Sequence, residues 1–116
     1  MKLEDLRKHC MLKRGVTEEY PFDEVTVVFK VNGKMFALSN VETFNRISVK
    51  CDPDDASAYR EAFVSVEPGY HLNKKHWNSI YLNGDVSDEQ ILQWVDESWE
   101  IVAASFSKKI REELGV

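Results

Sequence analysis

The chain has 116 residues, of which 43% are hydrophobic and 30% charged, and its 20 acids outnumber its 15 bases for a formal net charge of −5. That length supports one domain with one core, large enough to fold without metal or disulfide staples. An acid-rich chain of this kind is no general nucleic-acid coat, because phosphate binding rests on cation density. Met1–Cys10 is charged and has no apolar segment, and no apolar run approaches the ~20 residues of a membrane span. The expectation is a cytoplasmic protein with no membrane contact. Cys10 and Cys51 belong to no CxxC or zinc-type spacing and read as buried thiols, so neither a cofactor nor a metal is expected.

Lys2–Arg14 reads as a first helix with Leu3, Leu6 and Cys10 on one stripe, ended by Gly15. Val16–Phe22 is a linker or short edge strand in which Pro21 holds Tyr20 extended. Tyr20 and Phe22 are expected to cap the core. Val25–Val31, Asn32-Gly33 and Lys34–Ser39 form a two-residue hairpin, since Asn-Gly supplies the positive φ angles of a type I′ turn. That turn pairs Val31 with Lys34, Phe29 with Phe36 and Val27 with Leu38 on the core face. Lys30 with Met35, Val28 with Ala37 and Thr26 with Ser39 then lie on the other face.

After a loop at Asn40–Asn45, Arg46–Cys51 alternates as a third strand, with Ile47, Val49 and Cys51 inward. Arg46, Ser48 and Lys50 point outward and join Lys30. Asp52-Pro53-Asp54-Asp55 starts a helix to about Phe63, with Asp52 as cap, Pro53 at the first helical position and acids at the positive dipole end. Val64-Ser65-Val66 adds a short strand and Pro68-Gly69 turns the chain. Trp77–Leu82 is another strand. Ser87 and Gln90 make a capping box, with Val86 and Ile91 as its hydrophobic staple. A stripe of Ile91, Val95, Trp99, Val102, Phe106, Ile110 and Leu114 follows, and reads as one helix of about 26 residues and roughly 39 Å. The fold class is α+β, a single domain ordered α-β-β-β-α-β-β-α, with helices covering one face of an antiparallel sheet.

The stretch from Tyr70 to Asn78 concentrates the chemistry. It holds His71, His76, Lys74, Lys75, Asn73, Asn78, Tyr70 and Trp77, and no acid occurs between Gly69 and Gly84. Lys74 and Lys75 can neutralise phosphates or carboxylates, Asn73 and Asn78 can read hydrogen-bonding edges, and Tyr70 and Trp77 can stack on a ligand. The competing reading makes the aromatics core residues and the polar groups partners of the loop backbone. His71 and His76 supply an acid–base pair, but no nucleophile motif, phosphate loop or metal-ligand spacing accompanies them.

Tyr20-Pro21-Phe22, Phe29-Lys30-Val31-Asn32-Gly33-Lys34-Met35-Phe36-Ala37-Leu38, Val49-Lys50-Cys51-Asp52-Pro53 and Pro68–Asn78 together resemble the MmcQ/YjbR family over nearly the whole chain. The resemblance implies a compact α+β domain like the type III secretion chaperones, also described as frataxin-like or CyaY-like. It also implies the family's label, a predicted DNA-binding protein with a double-wing motif, and it implies no catalytic residues. The expected function is therefore non-enzymatic binding, nominally of DNA, by Lys30, Arg46, Lys50, Tyr70, His71, Asn73, Lys74, Lys75, His76, Trp77 and Asn78. The alternatives are a protein- or peptide-binding module and a small-molecule enzyme using His71 and His76. A monomer or weak dimer is expected.

Overall fold

Asn32 and Gly33 both adopt positive φ, 45° and 85°, and close the hairpin that the Asn-Gly pair requires. The computed structural model describes all 116 residues. In chain order its elements are α1 (Leu3–Met11), β1 (Val16–Glu19), β2 (Thr26–Val31), β3 (Lys34–Asn40), β4 (Arg46–Lys50), α2 (Pro53–Ala62), β5 (Val66–Pro68), β6 (Trp77–Tyr81), α3 (Asp88–Ala104) and α4 (Lys108–Leu114). The strands make one antiparallel sheet ordered β1-β2-β3-β4-β6-β5. The expected fold class holds, with one strand and one helix more than the sequence suggested. No helix is long and apolar enough to cross a membrane.

The helices cover the face carrying Val27, Phe29, Ala37, Ile47, Val49 and Ile80, all fully buried. Local signals place the helix starts. Asp52 accepts from the Asp54 N–H at 3.0 Å with Pro53 at the first position, and Ser87 accepts from the Gln90 N–H at 3.1 Å. Val86 and Ile91 are both buried across that second cap.

The hairpin register departs from expectation. Val31–Lys34 and Lys30–Met35 pair as the turn dictates, but Phe29 then pairs with Ala37 and Val28 with Leu38. Phe36 is the extra residue of a β-bulge, so Phe36 and Ala37 both face the helices. Beyond the bulge every β3 side chain changes face relative to expectation. Ala37 becomes core, and Leu38 moves to the uncovered face. A side chain of α3 meets the bulge. Ser98, fully buried, donates to the Phe36 carbonyl at 2.6 Å and accepts from the Lys50 N–H at 2.9 Å. Its hydroxyl stands where the next rung of the β3–β4 ladder would fall.

The last helix is not continuous. It breaks at Ser105-Phe106-Ser107, where Ser107 caps α4 and the Ser105 hydroxyl turns back to the Val102 carbonyl at 2.6 Å. The apolar stripe runs through the break because both pieces bury it. α4 folds back so that Leu114 is buried against the turn at Gly15. A Cβ at Gly15 would meet Leu114 at 2.7 Å, and the position has φ +71°, so glycine is required twice over. Tyr20 and Phe22 do not cap the core, being 43% and 62% exposed. Pro21 carries them off the end of β1 instead.

Burial lifts the Cys10 and Cys51 thiols from 9.0 to about 12, and burial raises the Tyr59 phenol in the same direction. The folded chain thus keeps protons that the unfolded chain releases. The stability this provides is whole below pH 9.0 and is lost as pH rises toward about 12. The urea midpoint is expected to fall steadily between about pH 9 and 11. A midpoint constant over that interval would contradict the assignment.

Candidate functional site

The uncovered face takes its side chains from alternation and register. Across its middle run Glu19, Val28, Leu38, Ser48, Ser79 and Glu67, each opposite the next. Nearer the hairpin turn lie Lys30 and Met35, with Lys50 opposite Trp77. At the other end lie Thr26, Asn40, Arg46 and Tyr81. Lys30, Arg46 and Lys50 therefore share one face as expected. They do not form a cluster, since Arg46 and Lys50 are four residues and about 13 Å apart along the strand. Glu19 pairs with Lys30 at 3.3 Å, and Glu67 holds the opposite edge.

The connection between β5 and β6 folds over this face. Gly69 makes the fold-over possible, because a Cβ there would lie 2.6 Å from that of Trp77 and 3.1 Å from that of Leu72. The Gly69 N–H donates to the Trp77 carbonyl at 2.8 Å, and the Leu72 N–H closes a turn on the Gly69 carbonyl at 3.3 Å. His71 holds the third position of that turn at φ +57°, a conformation that ordinarily selects glycine or asparagine. The Tyr70 N–H donates to the Ser79 hydroxyl at 3.0 Å, and Ser79 shares a 2.7 Å hydrogen bond with Ser48. The loop is thereby tied to the sheet.

This arrangement walls a pocket of about 430 Å³ between the loop, the segment after β1 and the strands β2 to β4. Phe22, Val25, Leu38 and Leu72 supply apolar surface; Ser48, Thr26 and Asn40 supply neutral polar groups. Arg46, Tyr70 and His71 complete it. The Arg46 guanidinium carbon lies 3.7 Å from the Tyr70 ring centroid, and the His71 ring meets Tyr70 edge-on at 4.1 Å. Asp23 also lines the pocket, but its carboxylate accepts from the Val25 and Thr26 N–H groups and the Thr26 hydroxyl. Those bonds, the backbone ones foremost, hold its pKa below the usual carboxylate range.

Of the residues expected to act together, the pocket unites Arg46, Tyr70 and His71. Most of the others in the Tyr70–Asn78 motif are used internally. Asn73 accepts from the Lys75 and His76 N–H groups and caps its own turn. Lys74 bends back toward the Gly69 carbonyl at 3.4 Å, and its own carbonyl accepts from Arg60 of α2 at 2.6 Å. Lys75 is exposed, and the His76 carbonyl accepts from the Cys51 N–H at 2.7 Å. Trp77 is 7% exposed beneath its own loop and offers no open ring for stacking. Asn78 faces the helices at 1% exposure, donating to the Ala56 carbonyl and accepting from Arg60. These are corrections to a contact surface drawn along the whole motif. Its polar groups are largely loop and helix partners, because a compact turn must satisfy its backbone first.

Phe22 and Leu38 are the pocket residues the sequence assigned to the core. A single slip of register hides Leu38, and only the bulge reveals it. A second cavity of about 390 Å³ lies between α2 and α3, lined by Asp52, Asp55, Glu97 and Glu100 with Tyr59 and Trp94. It holds none of the motif side chains from Tyr70 to Asn78.

The strain at His71 is directly testable. His71→Gly is expected to fold as stably as the parent or up to about 1 kcal/mol more stably, relief of the left-handed backbone offsetting the added unfolded-state entropy. A loss above about 1 kcal/mol in urea unfolding would mean that the imidazole is needed for the fold itself.

Known proteins share this sequence and shape. The YjbR family model matches residues 11–101. The chain is 35% identical over 101 residues to YjbR of Escherichia coli strain K12, covering 86% of each protein. It is 34% identical over 91 residues to YbdF of Escherichia coli O157:H7, covering 78% of this chain and 75% of that one. The crystal structure of Deinococcus radiodurans DR2400, a DUF419 domain, superposes with a TM-score of 0.92 at 38% identity, over 99% of this chain and 88% of the other. A Pseudomonas syringae protein at 22% identity and a TM-score of 0.72 shares the fold. By sequence over most of its length and by architecture throughout, the chain belongs to the YjbR family.

Proposed function

We propose that the chain is a non-enzymatic binding domain whose ligand seat is the pocket on the uncovered sheet face. The observation that carries this reading is a walled cavity of ligand size, built by a loop that holds one residue in a strained conformation and an arginine stacked on a tyrosine. His71 lines the cavity whereas His76 belongs to the turn beyond it, and both thiols are buried elsewhere. That distribution favours recognition over catalysis by a histidine pair. The edge strands β1 and β5 have 4 and 3 residues, which gives a peptide little ladder to extend. Amide chemical-shift mapping with small acids, amines and neutral aromatics is the test. Shifts gathered at Leu38, Arg46 and Tyr70–Leu72 support the reading; a panel that moves none of them removes it.

DNA is the second reading, favoured by Lys30, Arg46 and Lys50 sharing one face. Three phosphate contacts would give a log–log salt slope of about −3. Labelled single-stranded and duplex DNA titrated at about 50 mM salt decides it, and no binding below about 100 μM ends it.

A further inference from the structure

We propose that the pocket is a carboxylate site, taking a small organic acid with its charge on Arg46 and its apolar body along Val25, Leu38 and Leu72. The proposal rests on this pocket being the ligand seat. Its starting point is an arginine that lines the pocket stacked on an aromatic ring. Of the 15 Lys and Arg side chains only Arg7, Lys13 and Lys30 pair with a carboxylate, so what sets Arg46 apart is its place in the pocket lining and its stacking on Tyr70. Arg46 makes no salt bridge. Its guanidinium instead lies 3.7 Å from the Tyr70 ring centroid, where the ring supports the plane and leaves the N–H edge unclaimed.

The acid that could neutralise it from within the pocket is already committed. Both Asp23 oxygens accept hydrogen bonds from Val25 and Thr26 at 2.7 to 3.1 Å. Asp23 keeps its charge, but with both oxygens occupied a ligand cation beside Arg46 finds no open carboxylate edge to bind. A ligand anion meets a positioned fork whose geometry matches a planar carboxylate through two parallel hydrogen bonds. The lining holds one guanidinium, no lysine and the Asp23 carboxylate, so a singly charged acid suits it better than a phosphate dianion. Apart from Asp23 and His71 the remaining walls are apolar or neutral, and about 430 Å³ accommodates an acid with a body the size of a phenyl or branched alkyl group.

The experiment compares 3-phenylpropionate with 3-phenylpropionamide, which share a body and differ in charge, by amide shift titration of the ¹⁵N-labelled chain. The acid is expected to bind at least about tenfold more tightly than the amide, shifting Leu38, Arg46 and Tyr70–Leu72. Arg46→Gln is expected to erase that difference, and Arg46→Lys to retain part of it because the charge survives without the fork. Equal binding of acid and amide to the parent chain would overturn the carboxylate assignment while leaving the pocket as a ligand seat. Binding of neither at about 10 mM, or shifts confined to other surfaces, would overturn both. Because the deciding comparison uses the parent chain, it stands even where a variant folds poorly.

Discussion

Ser98→Ala is expected to lower the free energy of unfolding by about 2–4 kcal/mol, among the larger losses a single oxygen atom can cause. The Ser98 hydroxyl donates to the Phe36 carbonyl at 2.6 Å and accepts from the Lys50 N–H at 2.9 Å. These are the groups that would have joined β3 to β4 directly if the ladder continued one rung past Ala37–Val49. The bulge separates them and the helix serine fills the gap. Alanine leaves a donor and an acceptor with no protein partner beneath α3, each costing about 1–3 kcal/mol. Urea unfolding of parent and variant measures the loss. A change below about 0.5 kcal/mol would mean that water or a register shift replaces the hydroxyl without cost. In the second case the slip-free register, with Phe36 opposite Phe29, is accessible. That outcome has a functional side, because Leu38 would leave the pocket for the core.

Asn78→Ala carries the second large effect, a loss of about 2–4 kcal/mol with pocket binding unchanged. Asn78 is 1% exposed and bridges the sheet to α2 in both directions. Its amide donates to the Ala56 carbonyl at 3.1 Å, and its oxygen accepts from the Arg60 Nε–H at 2.9 Å. Arg60 in turn donates to the Lys74 carbonyl at 2.6 Å, so the asparagine steadies the arginine that steadies the loop. Truncation removes a charge-assisted hydrogen bond and leaves a small cavity at the sheet–helix junction. A double-mutant cycle with Arg60→Met is expected to show a coupling of about 1 kcal/mol or more, since the two side chains share one network. Additive losses would show that Arg60 is held by the Lys74 carbonyl alone. Weakened binding of an acid in the pocket, with the fold intact, would show that the relay through Arg60 reaches the pocket wall.

The two variants separate the roles that one motif mixes. Pro68 to Asn78 reads as a single functional surface because its polar residues are close in sequence. In the fold they diverge within a few residues. Tyr70 and His71 face the pocket, Asn73 and Lys74 serve the turn, and Asn78 faces the opposite side of the sheet. Strand alternation alone makes Trp77 and Asn78 part company.

Much of this protein was decidable from residues a few positions apart. The Asn32-Gly33 turn, the Asp52-Pro53 and Ser87 helix starts, the alternation of Ile47, Val49 and Cys51, and the α+β class follow from steric and hydrogen-bonding preferences that act within one turn of chain. The bulge at Phe36 is bridged by a hydroxyl 62 residues away. The break in the last helix depends on α4 finding the turn at Gly15, and the pocket depends on a loop after β5 closing over strands β2 to β4. The bulge and the pocket leave no local mark, and the helix break leaves only the Ser107 cap. A hydrophobic stripe looks the same whether one helix or two bury it, and a strand reads the same one residue out of register. Packing of distant elements chose between such locally equivalent states, and in choosing it placed Leu38 and Arg46 on the same side of the sheet as Tyr70 and His71.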